Sequence, residues 1–104
     1  MQVAAKNQGA AKVVVVPGQR LDASSAEGFK AEICGLIDSG SSHIILDLSQ
    51  IEFMDSSGLG AIVACLKHMG GNGSIELANP RDPVMKVLRL TRMNKVFTVH
   101  QDRE

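Results

Sequence analysis

Two stretches that read as strands, His43-Ile44-Ile45-Leu46-Asp47-Leu48 and Ser74-Ile75-Glu76-Leu77-Ala78, stand on either side of a helical pattern in which Leu59, Ile62, Val63, Leu66 and Met69 recur every three or four residues. Strands joined through a helix lie side by side as parallel neighbours, by a crossover that is right-handed in nearly all cases. That unit points to an α/β fold with a mainly parallel sheet.

The rest of the chain keeps the alternation. Val13-Val14-Val15-Val16 is β-branched throughout and stops at Pro17-Gly18, which predicts a strand buried on both faces; a weaker strand is expected near Gln2 to Lys6. Ser24 and Glu27 have the spacing of a capping box, and Phe29, Ile33, Leu36 and Ile37 continue a helix to Gly40. Gly70-Gly71-Asn72-Gly73 ends the second helix. After Asn79-Pro80, Asp82 as cap and Pro83 as first residue open another helix, with Val84, Val87 and Leu88 as its buried stripe. Val96, Phe97 and Val99 read as a last short strand, and 101–104 as a frayed polar end. With 104 residues the expectation is one domain over 1–104, a sheet of four or five strands with three or four helices.

Composition removes several function classes. Eleven basic side chains balance eleven acidic ones, so no overall field draws the chain to nucleic acid or an anionic membrane. There is no Trp or Tyr to stack on bases. Met1 to Gly9 lacks the apolar region of a signal peptide, and no run reaches membrane-spanning length, so a soluble, cytoplasmic protein is expected. Cys34 and Cys65 sit in apolar helical patterns without CxxC spacing and are expected to be reduced residues in or near the core. His43, His68 and His100 lack metal-ligand spacing, and Gly58-x-Gly60 has Val63 where a dinucleotide loop needs its third glycine. No metal or cofactor is expected. A hydrolase would need a Gly-x-Ser-x-Gly elbow and a base, which the chain does not offer, so no enzyme is expected.

The chemistry concentrates in Phe53-Met54-Asp55-Ser56-Ser57-Gly58-Leu59-Gly60, where an apolar strand gives way to a carboxylate, two hydroxyls and two glycines just before a helix. In a parallel sheet that is the carboxyl edge, where function usually sits. A hydroxyl at a helix entrance can cap the free amides or carry an anion near the positive end of the dipole. Taken alone, Ser56 and Ser57 read as helix caps ahead of modification sites. Gly58, Ala61, Cys65 and His68 form a stripe of mostly small residues that serves equally for burial against the sheet or for close approach of a partner.

Ile45-Leu46-Asp47-Leu48, Ile51 and Phe53 through Gly60, followed by an apolar helix, resemble the STAS family of anti-sigma factor antagonists. The similarity runs upstream to Gly18-Gln19-Arg20-Leu21-Asp22 and downstream through Gly70-Gly71, Ile75-Glu76-Leu77 and Asn79-Pro80. The resemblance implies a binding module whose serine after the aspartate, here Ser56, is phosphorylated by a partner that is both serine protein kinase and anti-sigma factor. The bare form binds that partner and releases the sigma factor; the phosphorylated form does not. It further implies a partner face at Asp22, Asp55, Ser56, Ser57, Gly58 and Ala61, with a serine phosphatase as a further candidate partner and a monomer when free.

On this reading Ser57 caps the helix, the helix amides behind Ser56 tolerate the phosphate, and Asp55 either satisfies loop amides or orients the acceptor hydroxyl and meets the partner. The alternative within the family is a STAS adaptor subunit of a lipid transporter or stress-sensing assembly. Two departures stand out. Thr91-Arg92-Met93 replaces the usual small-residue turn with glycine, which bears on partner choice, and the segment before Val13 matches poorly.

Overall fold

The computed structural model describes residues 3–101. Strands β1 (Ala4–Gln8), β2 (Ala11–Val15), β4 (His43–Asp47), β6 (Ser74–Ala78) and β7 (Val99–His100) form one sheet in the order β1-β2-β4-β6-β7. β1 turns back on β2 through Gly9, whose φ of 64° favours glycine, and is antiparallel. Every other pairing is parallel, with Val14 beside Leu46, Leu46 beside Leu77 and Leu77 beside Val99. A second, two-residue ladder joins β3 (Arg20–Leu21) to β5 (Phe53–Met54) beyond the carboxyl edge. The helices are α1 (Ala26–Asp38), α2 (Ser56–Met69), α3 (Asp82–Leu90) and α4 (Met93–Val96), with a 3-10 turn at Gly70–Asn72.

The core lies on one side of the sheet. Val14, Val16, Ile44, Leu46, Leu48, Ile75 and Leu77 are buried there with Phe29 and Ile33 of α1, Ile62 and Cys65 of α2, and Val84 and Leu88 of α3. The alternate residues Val13, Val15, Ile45 and Asp47 are only half-buried. The four valines are therefore not covered on both faces as expected. β2 borders an antiparallel edge strand, and its second face stays open, as antiparallel edges commonly allow. On that open face Glu76 holds His100 at 2.7 Å and faces His43 at 3.3 Å, and the His100 hydrogen bond, foremost, keeps its carboxyl below the usual range.

Other boundaries shift for local reasons. The first strand covers Ala4–Gln8 and so runs past the expected Lys6, while Gln2 of the expected range lies outside the described residues. α3 contains Asp82, and its cap is Arg81. Val96 closes α4 and is exposed, so the last strand is reduced to two residues, with Phe97 buried between helix and strand. Residues 102–104 of the expected frayed end lie outside the described residues.

Candidate functional site

The β3–β5 ladder sets the site. Leu21 pairs with Met54, so the next residues, Asp22 and Asp55, leave adjacent strand ends together, and the Asp55 amide reaches the Leu21 carbonyl at 3.4 Å. Asp55 is extended, and the chain turns helical at Ser56. Its Oδ1 accepts from the amides of Ser57 at 2.9 Å and Gly58 at 3.0 Å, while its carbonyl takes the Leu59 amide at 3.0 Å. Asp55 is thus the helix cap, not Ser57. The residue before the first helical one is the only one whose side chain can fold onto the second and third amides. Removing that side chain exposes two amides and a helix end, so Asp55→Ala should lower stability by about 1–2 kcal/mol in chemical denaturation, while Asp55→Asn, a comparable cap, should change it little.

Ser56 and Ser57 are exposed, and among the described residues neither hydroxyl is held by a hydrogen bond. Gly58 is buried: a side-chain carbon there would overlap the Leu21 carbonyl oxygen and lie 2.8 Å from its carbon. Ala61 and Cys65 are buried too, and His68 bonds Asp38 of α1 at 2.8 Å. The small-residue stripe thus rests on β3 at Gly58 and turns toward α1 at Cys65 and His68. Gly58 and Ala61, expected on the partner face, bring the helix close to its neighbours instead of offering side-chain surface.

Asp22 is fixed from several sides. Its Oδ1 accepts from the Ser24 hydroxyl at 2.7 Å and the Ser24 amide at 3.1 Å, and its Oδ2 accepts from Arg20 Nε at 3.0 Å. The Ser24 hydroxyl, then the Arg20 guanidinium, draw its pKa down to about 2. Arg20 also lies over the Phe53 ring, 4.2 Å from its centre, which ties the Asp22 turn to the strand feeding Asp55. The Ser24–Glu27 capping box does not form. Asp22 takes the Ser24 amide, and α1 begins at Ala26 with Ser25 as a cap residue whose side chain makes no capping bond. The outcome is an exposed serine directly after the capping Asp55, whose strand end lies beside that of Asp22.

A groove of about 430 Å³ beside Ser56, lined by Leu59, Gly60, Val63, Lys67, Thr91 and Met93, was not foreseen as a surface. Its far wall is the Thr91-Arg92-Met93 turn, the departure already visible in the sequence. Arg92 has φ 61°, the left-handed conformation that glycine adopts without strain. A glycine in the usual pattern fits that backbone; here a cation occupies it.

The STAS domain model matches residues 2–104. A Thermotoga maritima protein provisionally named an anti-sigma factor antagonist is 31% identical over 90 residues, 85% of this chain and 80% of its own. The crystal structure of such a protein from the same organism superposes with TM-score 0.88 at 27% identity, covering 96% of this chain and 86% of that one. The Bacillus anti-sigma factor antagonist SpoIIAA, unphosphorylated, shares the fold with TM-score 0.80 at 24% identity, covering 99% and 90%, and its phosphorylated form with TM-score 0.73, covering 99% and 93%. No described helix is long and apolar enough to cross a membrane. The chain belongs to the STAS domain family and, within it, stands with the anti-sigma factor antagonists.

Proposed function

We propose that this protein is a phosphorylation-controlled partner switch. Unphosphorylated, it binds a serine-kinase anti-sigma factor through the exposed entrance of α2 and frees the sigma factor; phosphorylated at Ser56, it lets go. Ser56 is the acceptor and the fold does no catalysis of its own. Asp22, Asp55 and Ser57 frame the acceptor on the partner face, and Gly58 and Ala61 shape that face from beneath.

One observation carries the reading: the Ser56 hydroxyl is exposed at a helix entrance whose next two amides, those of Ser57 and Gly58, are already taken by Asp55. A free helix N-terminus would fold a phosphate onto its amides and quench it. Here those donors are occupied, so the phosphate stands outward beside a carboxylate, where a docked partner must either pair it or bury it. The helix therefore need not change shape for binding to be lost. That SpoIIAA is known in both forms supports the same logic.

Incubation with ATP and the serine-kinase anti-sigma factor captured from the host tests the assignment. Phosphate should appear on Ser56 by peptide mapping and be absent from Ser56→Ala. Transfer to Ser57 instead, or none at all to wild type, would overturn it.

A further inference from the structure

Three layers of side chains fix how α1 and α2 face each other. Lys30 of α1 and Ala61 of α2 line one groove, and Asp38 bonds His68 at 2.8 Å two turns further on. Midway between them come Cys34 and Cys65. The helices thus run parallel in a register that brings the two cysteines to facing positions, near enough for Cys34 to influence the Cys65 thiol. Cys65 is fully buried, while Cys34 is half-buried and reachable from solvent. Gly60, Ala61 and Ala64 line the groove between the helices on the α2 side, and their small side chains favour close approach of the two backbones.

We propose that Cys34 and Cys65 form a reversible disulfide that staples α1 to α2, with hydrogen peroxide as the oxidant. The Cys34 sulfur, as thiolate, attacks one peroxide oxygen; the O–O bond breaks, hydroxide leaves and takes up a proton as water, and Cys34 becomes a sulfenic acid. The Cys65 sulfur then attacks the Cys34 sulfur. An S–S bond forms, the S–O bond breaks, and the departing hydroxide takes the Cys65 proton as a second water. The two thiols lose two electrons, and the peroxide gains them.

The order of attack follows from the surroundings. Burial, then Cys34, push the Cys65 thiol up to about 12, with Lys30 opposing, so Cys65 does not meet the oxidant first. It is the resolving thiol. This site is independent of the Ser56 reading and concerns the same helix two to three turns further along.

The reduced chain, treated with hydrogen peroxide, denatured and alkylated with N-ethylmaleimide, should run as a monomer lacking two hydrogens and carrying no label, with the Cys34 and Cys65 peptides joined. Dithiothreitol should restore both thiols. The oxidised chain should show an unfolding constant at least roughly thirtyfold smaller, the low end for a bridge closing a loop of this length. Cys34→Ser should keep its one remaining thiol alkylatable after the same treatment. Two labels on the oxidised wild type, sulfinic acid on Cys34, dimers linked through Cys34, or a lost thiol in Cys34→Ser would each overturn the proposal.

Discussion

Gly58→Ala is expected to lower stability by about 3 kcal/mol, a fall in Tm of roughly 12–24 °C for a domain of this size, while Gly60→Ala, two residues along the same helix, should be neutral or raise stability by up to about 1 kcal/mol. Helix propensity favours alanine over glycine equally at both positions. What separates them is the far side. At Gly60 an added carbon meets nothing within 4 Å, whereas at Gly58 it runs into the Leu21 carbonyl. That oxygen is backbone in the β3–β5 ladder and already accepts the Asp55 amide, so it cannot turn aside as a side chain would. The entrance of α2 would have to lift away from β3, carrying Ser56 with it and opening the packing of Leu21 and Met54. Denaturant melts of both variants decide the matter. A Gly58→Ala protein as stable as Gly60→Ala would mean that α2 does not rest on β3 at this point.

The alternation of apolar runs and helical stripes was enough to read the sheet, because each parallel strand is short, apolar and separated from the next by a helix that must cross one face. The carboxyl-edge position of Ser56 followed from that order alone. What the linear pattern concealed was contact between residues distant in sequence. Nothing local shows that Val13 and Val15 face an uncovered side, since a run of four valines looks the same whether one face is covered or two. Asp55, the cap, stands two residues before the expected Ser57. The three candidates differ only in where the backbone turns helical, and the bond from Asp55 to Leu21 across the short ladder helps decide that. The groove beside Ser56 was hidden in the same way: its two walls, α2 and the Thr91-Arg92-Met93 turn, are more than twenty residues apart in the chain, and only the odd residue Arg92 marked the second wall beforehand.

Ser56→Ala should bind the anti-sigma kinase about as tightly as the unmodified chain, and phosphorylated wild type several hundredfold more weakly. The phosphate brings roughly −1.5 to −2 charges to a spot where Asp55 already holds the Ser57 and Gly58 amides and Asp22 remains ionised down to about pH 2. In the free protein water screens this crowding. Once a partner covers the site the effective dielectric falls, the repulsion grows, and the phosphate loses hydration that the Ser57 and Gly58 amides, held by Asp55, do not replace. A penalty of about 3–4 kcal/mol is modest for a buried, poorly paired dianion and corresponds to a few hundredfold in Kd. Ser56→Glu, with one charge and a shorter reach, should lose less than the phosphate but clearly more than alanine. Asp55→Asn keeps the cap while removing a charge, so the phosphorylated Asp55→Asn protein should recover roughly three- to tenfold of the lost affinity with its Tm unchanged. Titration calorimetry of these forms against one partner preparation separates the causes. If phosphoserine and glutamate both bind within threefold of alanine, charge at the α2 entrance does not control docking; if Asp55→Asn recovers nothing, the loss comes from the bulk of the phosphate and not from its repulsion by Asp55.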